Sequence, residues 1–242
     1  MNPGAGYRRS RNAILVLLLM LAGAAWAVVV RQSTGMDRML LSPAVFLVSW
    51  VVMMVAMMFP SAAPMVLTFS KVQASRQAQG RFFVPTWVFV AGYLAVWTAF
   101  GALALGVSAG LDAAGIMVIG GFVGGVLLIA AGLYQLSPLK HACLSRCRTP
   151  PGFILGSWRE GYVGAFRMGI DHGLYCLGCC WLLFVVLFPL GLMNLAAMAA
   201  VTLLIFAEKT LPGGPWIGRA AGLGLTGWGL LTLLAGNYMP GM

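Results

Sequence analysis

Acidic residues are nearly absent, with five Asp and Glu in 242 residues against 15 Lys and Arg. Histidine is scarcer still, at two, and charged residues of both signs make up only 8% of a chain that is 61% hydrophobic. Each shortage excludes something. So little charge cannot cover a water-soluble domain of this size. So few carboxylates inside the apolar stretches argue against proton-coupled transport, which needs ionisable relays within the spans. Nothing resembles an ATPase domain, no linker or shift in composition marks a second domain, and no internal repeat stands out.

Long apolar runs are what the chain has instead. A membrane-spanning helix needs about 20 such residues. The runs predict spans at 13–30, 43–68, 84–107, 116–136, 173–190, 192–207 and 217–236. The expected fold is therefore all-α: a polytopic transmembrane bundle of about seven spans forming one integral membrane domain over 1–242. The first run has some features of a secretory signal, with Arg8, Arg9 and Arg11 ahead of it and Ala25-Trp26-Ala27 near its end. It continues through Val28, Val29 and Val30, longer than a usual signal core, which favours a retained helix.

The net charge of +10 would fit a nucleic-acid binder until the charges are placed. With the N-terminus inside, all of the 15 basic residues except Arg31 and Arg38 fall in inner segments. This is a clear positive-inside pattern and places the C-terminus outside. The charge then reports orientation and contact with anionic lipid heads, and needs no nucleic acid. The same topology puts 137–172 on the cytoplasmic side, where thiols are kept reduced.

All five cysteines and both histidines lie between His141 and Cys180. Thiolates and imidazoles select Cu(I), Zn(II) or iron–sulfur clusters. In His172-Gly-Leu-Tyr-Cys176-Leu-Gly-Cys179-Cys180-Trp181, the histidine and three cysteines fall within an arc of about 100° on a helix. Cys176, Cys179 and Cys180 are spaced i, i+3, i+4, so their sulfurs can converge. His172 is one turn from Cys176 but about 12 Å along the axis from Cys180. Either Gly173 and Gly178 break the helix, or there are two adjacent positions. Small buried cysteines that merely pack are the plainer alternative.

Upstream, His141, Cys143 and Cys147 give a C-x3-C with a neighbouring histidine, a spacing that suits metal, redox work or neither. Flanking Lys140, Arg146 and Arg148 favour thiolates there. After Pro150-Pro151, residues Trp158, Tyr162 and Phe166 recur every fourth position beside Arg159 and Arg167, which predicts a short interfacial amphipathic helix before span five. In span two, Met54, Met57 and Met58 share a face, again at i, i+3, i+4. Thioethers favour Cu(I) over Zn(II), although such a stripe is more often packing. Pro60 and Pro64 loosen the end of that helix. Asp171 is a candidate orienting partner for His172. Glu208 reads as an ordinary interfacial Glu–Lys pair with Lys209. Gly120, Gly121, Gly124 and Gly125, and Gly222, Gly224, Gly227 and Gly229, form small-residue faces for close helix packing.

Together, Met54-Val-Ala-Met57-Met58-Phe-Pro60, Cys143-Leu-x2-Cys147-Arg148, the His172–Trp181 run, Met193-Asn194 and Glu208-Lys209 resemble a bacterial family of predicted metal-binding integral membrane proteins. The resemblance covers about residues 45–210. It implies a polytopic membrane protein with a metal site and specifies no activity.

The reading from sequence is a membrane protein that binds a soft metal ion, Cu(I) before Zn(II), for storage, delivery or transport. Its expected ligands are His172, Cys176, Cys179 and Cys180, with Met54, Met57 or Met58 completing the site. His141, Cys143 and Cys147 are the expected inner-face uptake or transfer site. The expected partners are the lipid bilayer and a membrane metalloenzyme or a soluble metal chaperone. The enzymatic alternative is a membrane thiol-disulfide oxidoreductase using Cys176 and Cys179. A third is a structural subunit of a membrane complex.

Overall fold

The computed structural model describes residues 3–33, 42–113, 121–192 and 194–238. All regular structure among them is helical: α1 (Pro3–Gln32), α2 (Pro43–Ala78), α3 (Thr86–Ala113), α4 (Gly121–Leu136), α5 (Pro138–Arg148), α6 (Pro150–Gly156), α7 (Gly161–Val185), α8 (Leu187–Leu190), α9 (Leu195–Thr210) and α10 (Gly214–Tyr238). Among the described residues, five stretches are long and apolar enough to cross a membrane: Ser10–Gln32, Pro43–Ala78, Thr86–Gly110, Gly161–Leu190 and Gly214–Ala235. Phe122–Leu136 and Pro138–Arg148, bent by 62° at the break between them, make a sixth there if they count as one span.

Against the seven expected spans, the helices differ in extent at two places. The run at 192–207 begins before its helix does, because Asn194 caps α9 by accepting from the Ala197 amide at 3.1 Å. The cap leaves α9 only 16 residues. At 136–138, Pro138 starts a new helix in place of extending α4, as a residue without an amide hydrogen does most easily. The segment expected on the inner side, 137–172, contains the short helices α5 and α6, with Pro150 and Pro151 in the first turn of α6. The separate amphipathic helix does not form. Trp158 and Arg159 lie in the connector, while Tyr162 and Phe166 belong to the first turns of α7, which starts at Gly161 with a φ of 75°. Met193 and Gly120, both singled out from the sequence, lie outside the described residues.

The chain divides into two compact units. The first runs through Ala102 and from Ser145 to Leu177. In it, α1 and α6 pack on α2, around a core containing Leu18, Phe59, Met65, Phe69, Phe89, Phe153 and Met168. The positions of α3 and α7 are fixed by glycine. A Cβ on Gly92 would lie 2.1 Å from the Phe166 carbonyl oxygen, and one on Gly169 would lie 2.1 Å from that of Phe89. Backbone therefore rests on backbone, the contact small residues permit between apolar helices. Helix α2 runs unbroken through Pro60 and Pro64. The Ser61 and Thr68 hydroxyls donate to the carbonyls of Met58 and Pro64 at 3.0 and 2.8 Å.

The second unit comprises Leu103–Leu144 and the chain from Gly178 onward. Its main contact is α4 on α10. A Cβ on Gly132 would fall 2.6 Å from the Gly222 carbonyl oxygen, and one on Gly229 would fall 2.7 Å from that of Gly125. Three of the glycines expected to form packing faces, Gly125, Gly222 and Gly229, do so. Gly224 and Gly227 have nothing within 4 Å and take no part.

Candidate metal centre

Helix α7 is continuous through Gly173 and Gly178, so neither glycine breaks it. Each is used for close approach. A Cβ on Gly173 would meet Val96, and one on Gly178 would come within 2.8 Å of the Cys143 sulfur. The donors along α7 are deeply buried: His172 is 3% exposed, Cys176 0%, Cys179 2% and Cys180 1%. Because α7 is continuous, no break in it brings His172 to Cys180.

In the first unit, the His172 imidazole lies in an aromatic stack. Its ring packs against Tyr93 at 5.4 Å and Phe89 at 5.9 Å, with interplanar angles of 23° and 19°. Phe89 stacks on Phe69 at 4.8 Å, and Phe69 on Trp158 at 5.9 Å. The Arg76 guanidinium covers the Trp158 ring at 4.9 Å and pairs with Glu160. At the other end of the stack, the Tyr93 hydroxyl lies 3.2 Å from Cys176 Sγ. A small cavity is bounded by His172 and Tyr93 and, on its apolar sides, by Leu18, Phe59, Val66 and Val90. Met54, Met57 and Met58 of α2 are each 0% exposed. Cys147, near the end of α5, is also buried.

In the second unit, Cys143 of α5 is partly exposed and its sulfur fills the notch left by Gly178. Cys179 and Cys180 follow directly on α7. The Tyr134 hydroxyl donates to the Gly178 carbonyl, and the Tyr134 ring meets Trp181 edge-on at 5.8 Å. His141 is half-buried on α5.

Two acidic residues have roles other than those expected. Glu208 is 1% exposed; its carboxylate accepts from Lys140 Nζ at 2.7 Å and from the Gln135 amide at 2.8 Å. This is a buried ion pair built from α4, α5 and α9, where an interfacial Glu208–Lys209 pair was expected. Lys140, counted from sequence among inner-surface charges, is itself 1% exposed. Asp171, expected to orient His172, pairs with Arg159 at 3.3 Å. The sequence reading missed Tyr93 and Gln135 as functional neighbours, and named Lys140 only as a charge flanking Cys143, not as the buried partner of Glu208.

None of the five cysteines forms a disulfide. Among the described residues, no three His, Cys, Asp or Glu side chains are grouped closely enough to hold one metal ion. The three described carboxylates named above, Glu160, Asp171 and Glu208, all sit in ion pairs. What the interior offers a metal is soft: thiol, thioether and imidazole.

Residues 47–232 match the copper chaperone family PpoB2, and the chain belongs to that family. The family's description points to copper, where the sequence alone left Zn(II) open, and says nothing of a membrane. No curated protein and no solved structure matches the chain.

Proposed function

We propose that this copper chaperone takes Cu(I) as its cargo within an apolar helical bundle and passes it to an acceptor protein. His172 and Cys176 hold the ion in the first unit, with a thioether of Met54, Met57 or Met58 as a further donor. A pair of thiols among Cys143, Cys179 and Cys180 supplies the second position, and His141 and Cys147 assist uptake along α5. Two donors and a methionine sulfur satisfy a soft monovalent ion, whereas Zn(II) favours a closed set of four. The observation that carries the reading is the burial of every thiol and imidazole donor on α7 inside a chain of this family, with the neighbouring carboxylates committed to arginine and lysine.

Binding replaces each participating S–H proton by copper and releases that proton. Delivery is ligand exchange, in which an acceptor thiolate or imidazole bonds to copper as one chaperone bond breaks, with no change in oxidation state. The proposed location is the bacterial inner membrane, with the N-terminus cytoplasmic, where a membrane metalloenzyme or a soluble chaperone is the exchange partner.

The test is the copper content of detergent-purified protein after anaerobic loading with Cu(I) under reducing conditions. Wild type is expected to carry near-stoichiometric copper, and the Cys176→Ala/Cys179→Ala/Cys180→Ala variant to lose most of it. Cys176→Ala alone and the Cys179→Ala/Cys180→Ala pair should each lose part. Equal copper in wild type and triple variant, or none in either after loading, would overturn the assignment.

A further inference from the structure

We infer that Tyr93 is a positioning residue for the cargo held by His172 and Cys176, an inference that rests on the copper reading of that pair. Tyr93 is 3% exposed, and its side chain touches both donors. Its ring lies 5.4 Å from the imidazole centroid, nearly parallel to it, and its hydroxyl lies 3.2 Å from Cys176 Sγ.

Both contacts follow from backbone geometry. Gly92, next to Tyr93, and Gly169, three residues before His172, let α3 and α7 touch. A looser crossing would lift the phenol off both donors. The stack from Trp158 through Phe69 and Phe89 holds the imidazole plane from its other side. His172 can then turn little, and the cavity beside it has two polar walls, His172 and Tyr93.

The hydroxyl discriminates between the loaded and empty states. A phenol donating to a thiol makes a weak hydrogen bond. The same phenol donating to a copper-bound thiolate makes a charge-assisted one, about twice as strong. Tyr93 thus stabilises the loaded state more than the empty state without itself ligating the ion. Phenylalanine at this position keeps the ring stack and removes only that difference.

The experiment is anaerobic titration of Cu(I)-loaded, full-length protein in detergent with a chromophoric Cu(I) chelator. It compares wild type, Tyr93→Phe, Cys176→Ala and the double variant. Tyr93→Phe is expected to keep the wild-type melting temperature and to release the copper of the first position to about tenfold less chelator. The effect should vanish in the Cys176→Ala background, because the cycle then has no sulfur to report. Fluorinated tyrosine at position 93, a stronger donor of nearly the same shape, should shift release the opposite way, and supplies the test if Tyr93→Phe fails to fold. Wild-type release from Tyr93→Phe, or an equal effect with and without Cys176, overturns the Tyr93 assignment alone. Equal copper in wild type and Cys176→Ala overturns both that assignment and the copper reading of the pair.

Discussion

Lys140 and Glu208 are a pair of opposite charges closed off from solvent in a unit made almost wholly of hydrocarbon, with Gln135 satisfying the second carboxylate oxygen. Removing one partner of such a pair leaves an uncompensated buried charge, at a cost of about 3–5 kcal/mol, whereas replacing both by apolar residues is often nearly neutral. Glu208→Leu or Lys140→Met alone should therefore lower the melting temperature of the purified protein steeply. The double variant should recover most of the loss. A double variant no better than its worse parent would show that the pair does more than neutralise itself. Gly218 belongs to the same arrangement, since a Cβ there would sit 3.0 Å from Glu208 Oε1. None of this could be read from residues 208 and 209 alone, where the adjacent lysine is the obvious partner. The true partner is 68 residues away.

Helices were the legible part of the chain, because a run of apolar residues and a proline or glycine at its end describe a helix locally. Crossings were not. The glycines that bring α3 against α7, Gly92 and Gly169, stand singly in sequence, and only the backbone contact reveals them as a pair. The conspicuous glycine runs were read correctly on one face and not on the other. Two substitutions separate these cases. Gly169→Ala places a Cβ 2.1 Å from a carbonyl oxygen and must force the helices apart, at a cost on the order of 1–3 kcal/mol or more. Gly224→Ala meets nothing and gains up to about 1 kcal/mol of helix propensity. Thermal unfolding should show a loss for the first and none for the second; comparable losses would mean that the close crossing is not what holds the first unit. The cysteine helix was visible for a different reason: its residue types are rare, and their spacing alone puts them on one face. Tyr93 had no such mark, being one of six tyrosines with an ordinary apolar neighbourhood.

For the molecule as a whole, sidedness depends on the bent pair α4–α5. If Phe122–Leu136 and Pro138–Arg148 together cross the membrane, the connector before α7 returns to the side of the N-terminus, and Arg146, Arg148, Arg159 and Arg167 keep the positive-inside pattern. If they turn back, those charges lie outside. Reporter fusions within 79–85 and within 157–160 should give the same compartment, the cytoplasm; opposite compartments would mean that α4–α5 is re-entrant and that the orientation read from charge holds only up to α3.

Cys143 differs from the other four cysteines in one respect, its partial exposure. A maleimide added in equimolar amount will find that thiol first, so the native protein carries its own single labelling position. Because the sulfur occupies the Gly178 notch, a bulky tag cannot be accommodated without withdrawing it, and the tag's fluorescence will respond to whatever displaces or fills that notch. Protection of Cys143 from the reagent would then time the arrival and departure of copper in a cell membrane, with no engineered residue anywhere in the chain.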